Sequence, residues 1–293
     1  MKHPVVASRR VVVTGCSSGI GWSTAECLRA RGWTVAPTAR KPEDLERLRV
    51  AGFEPLALDL ADSDSVQGAI REILARWDGQ LGGLVNNAGF GQPGAVEDLS
   101  RAALRQQFEV NVFGLQELTN GLLPSLRAQG AGRIVNISSI LGLVVTPFIG
   151  AYCASKYALE ALSDALRIEL RGTGVAVSLI EPGPILSAFR QRAVAEGAGL
   201  EQSPSRFAPA YAAEFTRRAR KAQRRKWPTL GPEAVATAVA EALESPRPFR
   251  RRRITCPARL GARLIPFLPT AALDALLARR LPPPQPPEGH AAP

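Results

Sequence analysis

The sequence predicts an α/β protein built on a doubly wound parallel sheet of about seven strands, with helices on both faces. Three observations predict it. Short β-branched apolar runs alternate with amphipathic stretches between residues 10 and 182. The runs are nearly continuous in apolar residues, as strands covered on both faces are. A glycine-rich turn follows the first of them. In such a sheet, ligands bind beyond the carboxyl ends of the strands.

Val11–Val13 is the first strand, followed by Thr14-Gly15-Cys16-Ser17-Ser18-Gly19-Ile20-Gly21 and a helix to about Arg31. Trp33–Ala36 is the second strand, and Lys41–Val50 is a helix opened by Pro42 in its first turn. Phe53–Leu58, Leu84–Val85, Arg133–Ile137 and Val175–Ile180 read as further strands. Between them run helices over Ser63–Trp77, from Leu99 through Phe113 and onward, and over Tyr152–Arg171. After Pro182 the regularity breaks. Residues 184–230 are rich in Ala, Arg and Gly and form an insert rather than a βα unit. Gly231-Pro232-Glu233 then starts a helix to about Glu244 with proline at N1, and Phe249–Cys256 is an Arg-rich last strand. Residues 270–281 form a short amphipathic helix, and the proline run from Pro282 opens a disordered tail. The chain thus divides into one domain over residues 1–260 and a basic extension over residues 261–293.

Charge is unevenly placed. The 293 residues carry a net charge of +11. Residues 1–189 hold 18 Lys and Arg against 18 Asp and Glu, while residues 190–293 hold 19 against 8. The two histidines, His3 and His290, lie at the chain ends, which argues against a histidine base, a histidine triad or a histidine-ligated metal. Cys16, Cys27, Cys153 and Cys256 show no CxxC spacing, so no metal is expected and the thiols read as free in a reducing, cytoplasmic compartment. The N-terminus turns polar at Ser8–Arg10 before any apolar run of secretory length, and no stretch approaches the roughly 18 apolar residues of a membrane span.

Gly15, Gly19 and Gly21 join the first strand to the first helix, where close backbone approach and free helix N–H groups suit a phosphate. At the end of the second strand stands Thr38-Ala39-Arg40-Lys41, with no acid to meet a ribose 2′-hydroxyl. Arg40 can instead grip a 2′-phosphate with paired charge-assisted bonds, which points to NADP(H). The plainer reading leaves Arg40 and Lys41 as solvated charges. Asp59, with Leu60 beside it, ends the third strand where it can meet the adenine edge, or serve as a turn or cap residue.

Without histidine, proton transfer falls to Tyr, Lys, Cys or a carboxylate. Of Tyr152, Tyr157 and Tyr211, only Tyr152 has a lysine four residues on, Lys156, so the two share a helix face. The cation is expected to lower the phenol pKa toward working pH, making Tyr152 a general acid or base. Such a pair is also common by chance. Tyr157 is assigned to packing.

These residues carry a resemblance. Thr14 to Gly21, Asn86-Asn87-Ala88-Gly89, Ser138-Ser139, Tyr152-Cys153-Ala154-Ser155-Lys156 and Pro182-Gly183 occur in order over about residues 8–260. Together they resemble the short-chain dehydrogenase/reductase family, with its Rossmann-like fold. The resemblance implies that Tyr152 is the proton donor or acceptor, and that Lys156 tunes it and holds the nicotinamide ribose. Ser139, thirteen residues before Tyr152, would bond the substrate oxygen, with Ser138 the nearby rival. Asn111 would be the fourth catalytic residue, kinking a helix and holding a relay water. Gly15, Ser17, Ser18, Gly19, Ile20, Gly21, Asp59, Leu60, Asn87, Ala88 and Gly89 would line the dinucleotide, with Asn87 also supporting the central strand. Pro182, Gly183 and Ile185 would border the nicotinamide. Ser187 stands where the family usually has a threonine on the carboxamide, and it keeps the hydroxyl. Family members usually form homodimers or homotetramers through two long helices, here about Leu99–Ala128 and Tyr152–Arg171.

Ile140 to Gly150, between serine and tyrosine, carries no charge. It reads equally as an apolar substrate wall or as core packing. The motif strings resemble the hydroxysteroid and retinol dehydrogenase branch, which implies a lipophilic ketone, aldehyde or alcohol, with the insert over the substrate site. A reductase of 3-oxoacyl groups on an acidic carrier protein is the alternative. A non-catalytic dinucleotide sensor is the alternative of another class, and it would have no need of the catalytic set. The basic clusters Arg217–Lys226, Arg247–Arg253 and Arg279-Arg280 read as a solvated face. With Leu264–Leu268 and Leu273–Leu281 they could also rest on an anionic membrane. Nucleic acid is not expected as a partner, since the clusters lack interleaved aromatics beyond Trp227 and Phe249.

Overall fold

In the computed structural model, residues 3–6, 8–197, 199–222, 229–279 and 281 are described. Seven parallel strands pair in the order β3-β2-β1-β4-β5-β6-β7. They are β1 Arg10–Val13, β2 Thr34–Ala39, β3 Leu56–Ala57, β4 Gly83–Asn86, β5 Gly132–Ile137, β6 Val175–Pro182 and β7 Arg251–Ile254. The order reverses between β1 and β4, opening the crevice in which doubly wound sheets bind ligands.

Strand periodicity sorts the core into two layers. Val11, Val13, Val85 and Val135 face α1 (Gly19–Ala30), α2 (Pro42–Val50) and α9 (Glu233–Glu244). Val12, Leu84 and Ile134, one residue out of step, face α3 (Ser63–Trp77) and α5 (Gly114–Ala128). Each such side chain withdrawn from water contributes about 1.5–3 kcal/mol, which is why continuous valine runs specify central strands.

The helices begin where local chemistry starts them. Asp62 caps α3 by accepting from the Asp64 N–H at 3.0 Å, and Ser100 caps α4 (Arg101–Phe108) by accepting from the Ala103 N–H at 3.1 Å. The single helix expected from Leu99 onward is interrupted: a π turn over Glu109–Phe113 separates α4 from α5. Pro232 caps α9 instead of occupying its first turn. The third strand is only two residues long, with Phe53 in the turn before it and packed into the core. Tyr157, expected to pack, is 43% exposed on α6 (Gly150–Glu169).

The insert is helical, with α7 over Phe189–Glu196 and α8 over Ala208–Ala222. It is pinned to the domain by Tyr211, whose hydroxyl bonds Asp98 and accepts from the Ala95 N–H at 2.8 Å. Tyr211 also packs edge-on against Phe148 at 5.3 Å between ring centroids. Past β7, α10 (Cys256–Leu264) and α11 (Thr270–Ala278) form the extension. No helix among the described residues is long and apolar enough to cross a membrane. The proline run, Arg280 and Lys226 lie outside the described residues.

The arginine-rich β7 is not a free basic surface. Arg251 and Arg253 point to one face and both pair with the fully buried Glu181, at 3.1 and 2.9 Å. Arg251 also reaches Glu160 at 3.0 Å and Asp164 at 2.7 Å. Arg252, on the other face, pairs with Glu241. Part of the C-terminal excess charge is therefore consumed internally.

Candidate active site

The glycine loop leaves β1 at Thr14. Its hydroxyl accepts from the N–H groups of Asn87 at 3.0 Å and Ala88 at 2.9 Å, so one side chain joins the ends of β1 and β4. Asn87 Nδ2 returns bonds to the carbonyls of Thr14 at 2.8 Å and Gly15 at 3.1 Å. Gly15 has φ +72°, and a Cβ there would stand 2.8 Å from Ala88 Cα. At Gly21 a Cβ would fall 2.2 Å from the Gly15 carbonyl oxygen. Both positions demand glycine for steric reasons. Ser18, extended before α1, makes no side-chain cap bond, so the first-turn N–H groups of α1 have no side-chain acceptor there. Ile20 packs against the core from this turn.

The other cleft residues are placed by their contacts. Gly89 approaches Asn111, where a Cβ would lie 3.1 Å from Oδ1. Leu60 is buried, and its carbonyl abuts Gly114 so closely that no side chain fits there. Gly183 donates to the Ile254 carbonyl at 2.9 Å, and Ile185 bridges to Leu230. Ser187 lies over Gly19, with its Cβ 3.1 Å from where a glycine Cβ would be. Arg40 is 61% exposed at the mouth, with Nη1 3.6 Å from Asp59 Oδ2. Asp59 also accepts from the Ala61 N–H at 3.0 Å, so its turn role is real.

Below the loop sits a buried polar cluster. Ser139 caps the turn Ile140–Gly142 by accepting from the Leu141 N–H at 3.1 Å, and its hydroxyl stands near enough to the Tyr152 phenol to pull its pKa down. Ser138 points elsewhere, toward the Glu160 carboxyl. Burial raises the Tyr152 phenol, and the Ser139 hydroxyl offsets that only in part. The expected lowering by Lys156 is not what this arrangement produces. Lys156 Nζ donates to the Ile137 carbonyl at 2.8 Å and lies 5.8 Å from the Tyr152 ring centroid. Burial pushes its own ammonium down to about 8, against the pull of Glu160. Desolvation outweighs the pair attraction, leaving Tyr152 a neutral phenol that is equipped to donate.

Asn111 lies in the π turn, fully buried. Its Nδ2 donates to the Phe90 carbonyl and to Ser155 Oγ, each at 3.0 Å, and its Oδ1 accepts from the Phe90 N–H at 3.1 Å. Ser155 in turn donates to the Tyr152 carbonyl at 2.8 Å. The asparagine side chain thus ties the loop after β4 to the helix that carries Tyr152 and Lys156.

Sequence reasoning missed several contributors. Thr14 was only part of a motif. Phe189, from the insert, tilts against Tyr152 with centroids 5.2 Å apart and walls one side of the phenol. Arg192, also on α7, reaches Ser17 and Ser18. Only the apolar aromatic after Ala188 hinted at the first of these.

The short chain dehydrogenase family model matches residues 9–197, which include the glycine loop, Ser139, Tyr152 and Lys156. The chain belongs to that family. Among its relatives is an uncharacterized oxidoreductase, YbbO of Escherichia coli K12, 43% identical over 93% of this chain and 95% of that protein. Human retinol dehydrogenase 8 is 34% identical over 84% of this chain and 81% of its own length. A short-chain dehydrogenase/reductase of Burkholderia phymatum, solved with NAD, superposes with a TM-score of 0.75 at 27% identity, covering 97% of this chain and 99% of that one. One from Burkholderia cenocepacia, solved with NADP, gives 0.70 at 25% identity, covering 96% and 100%. This short-chain dehydrogenase is therefore an oxidoreductase with a Rossmann-type nucleotide-binding fold. Its cleft fits a nicotinamide dinucleotide: the tight loop packed on Ala88 through Gly15 leads into α1, whose first N–H groups have no side-chain cap and can receive a phosphate.

Proposed function

We propose that this short-chain dehydrogenase is an NADP(H)-dependent oxidoreductase that interconverts a lipophilic ketone or aldehyde and its alcohol. The observation that carries the reading is the buried Tyr152 phenol, with Ser139 beside it and walled by Phe189. A phenol kept neutral by burial holds the proton that carbonyl reduction consumes. The bound nicotinamide supplies the hydride. Tyr152 gives its proton to the substrate oxygen, which the Ser139 hydroxyl also holds as charge develops there. Lys156, whose ammonium lies 5.8 Å from the phenol ring centroid, would stabilise the negative charge left on Tyr152 and donate to the ribose hydroxyls, while Asn111 ties the Tyr152 helix to the β4 loop. Arg40, exposed and held only by a long pair with Asp59, supports the 2′-phosphate preference.

Phe189, Ile149 and Leu141, packed around Tyr152, offer an apolar pocket that favours a lipophilic substrate over an acyl group on an acidic carrier. The naming of the human relative as a retinol dehydrogenase supports the same class. The C-terminal extension adds to it. Leu260, Leu264, Phe267 and Leu268 are exposed, Phe267 by 85%, beside Arg259 and Arg263. An apolar ridge with arginines next to it suits the surface of an anionic bilayer, from which a lipophilic substrate is drawn into a cytoplasmic enzyme. Leu104, Phe113, Tyr157 and Leu162, exposed on the α4–α5 stretch and α6, support self-association into a dimer or tetramer.

The test is NADPH oxidation against a panel of hydrophobic ketones and aldehydes, with Tyr152→Phe as control. Turnover that Tyr152→Phe abolishes supports the reading. Tight NADPH binding with no turnover of any carbonyl favours a dinucleotide sensor.

A further inference from the structure

We infer that Arg192, on the first helix of the insert, is a ligand for the diphosphate of the dinucleotide. This rests on the reading above that the cleft takes NADP(H). Ser17 and Ser18 are adjacent hydroxyl residues of the glycine loop, and Arg192 Nη2 donates to both Oγ atoms at 3.1 Å. Directly behind them α1 begins, with no side-chain cap on its first N–H groups. A guanidinium from one element and the positive end of a helix from another therefore meet at one spot. Two like fields converging on two neutral hydroxyls leave an arrangement that an anion completes.

The second arginine at the loop behaves differently. Arg47, from α2, donates to the Ser17 carbonyl, and its charge is met by Asp44 at 2.9 Å. Arg192 has no carboxylate partner among the described residues; its hydrogen bonds go to the two serines. Its charge is the one left for a phosphate. A fork of N–H donors suits the paired oxygens of a diphosphate, and each bond to a charged oxygen is stronger than the bond to a serine that it replaces.

Arg192 also has a connection that a surface arginine lacks. Three residues before it on the same helix, Phe189 packs on Tyr152, and two residues before that Ser187 lies over Gly19. Residues 187–192 thus span from the phosphate end of the cleft to the phenol. A diphosphate held by Arg192 would therefore also tether the helix that carries Phe189.

The experiment is equilibrium binding to the full-length protein, followed by tryptophan fluorescence. It compares wild type, Arg192→Ala and Arg192→Lys, with two probes. NADPH carries the diphosphate; adenosine 2′-monophosphate carries the 2′-phosphate and adenine but no diphosphate. Arg192→Ala is expected to weaken NADPH by about tenfold to a hundredfold, the worth of hydrogen bonds to a charged group, while adenosine 2′-monophosphate changes by less than about twofold. Arg192→Lys, which keeps the charge and loses the fork, is expected to fall between. Unchanged NADPH affinity in Arg192→Ala would overturn the assignment. So would an equal loss for both probes, which would place the residue at the other end of the cofactor or show a distorted loop. A wild type that binds neither NADPH nor NADH would overturn the cleft reading and the assignment together.

Discussion

Arg40 Nη1 stands 3.6 Å from Asp59 Oδ2, a long pair between two solvent-facing side chains at the mouth of the cleft. An exposed pair of this kind is worth at most about 1 kcal/mol, so it gives way readily to a doubly charged 2′-phosphate. Arg40→Ala is expected to lower the ratio of kcat/KM for NADPH over NADH by about tenfold to a hundredfold, mostly through the KM for NADPH. Steady-state kinetics with both dinucleotides checks this. An unchanged ratio would assign the preference to another residue.

Ser139 and Ser138 are adjacent but not equivalent. Ser139 stands beside the Tyr152 phenol, whereas Ser138 faces Glu160. Ser139→Ala is expected to cost about a hundredfold or more in kcat, by losing a donor at the developing oxyanion, with the KM for NADPH little changed. Ser138→Ala is expected to cost less than about tenfold. Comparable losses in the two variants would reverse the assignment of the spacing.

Lys156 sets the alkaline limit. Burial lowers its ammonium to about 8, so reduction is expected to decline above that pH as the charge is lost. Stability moves the opposite way. Between about pH 8 and the ordinary lysine value of about 10.4, the unfolded chain binds a proton that the folded chain does not, so rising pH favours folding. Below about 8 both states are protonated and this contribution is flat. Denaturation of wild type and Lys156→Met across pH 7–10 isolates the difference. If the two curves run parallel, the buried ammonium has an ordinary pKa.

The apolar ridge of the C-terminal extension makes the membrane reading testable without truncation. Phe267→Asp with Leu264→Asp is expected to abolish sedimentation with anionic vesicles while leaving the rate with a soluble ketone unchanged. Neutral vesicles are expected to retain less protein than anionic ones, and raised salt to release it. Partitioning that ignores both lipid charge and the double variant would exclude the ridge as the contact.

The sheet was legible because periodicity registers burial: the valine runs of β1 and β6 must be covered on both faces to exist in water. The steric demands at Gly15 and Gly21 were legible in the same way, since only close approach requires three glycines between a strand and a helix. What periodicity cannot carry was hidden. The π turn at Asn111, implied as a kink by the family resemblance, is invisible to periodicity, since one extra residue in a helix leaves the apolar pattern nearly unchanged. Tyr152 shifts the opposite way from its lysine pair alone, because burial belongs to the tertiary structure and the spacing shows only the partner. The insert was opaque for the same reason: Phe189 and Arg192 matter through contacts with residues far away in the chain.

The last strand enters the sheet as a row of arginines, fastened to Glu181, Glu160 and Asp164 where its neighbours are fastened by oily side chains. Acid that protonates the carboxylates undoes such pairs, while burial of valine does not depend on pH. One margin of an otherwise greasy sheet therefore responds to acid. Gly183 hangs from that margin through its bond to Ile254, and Thr255 closes in behind it. The Gly183 side of the cleft thus inherits a sensitivity that the glycine loop, seated on β1 and β4, does not share.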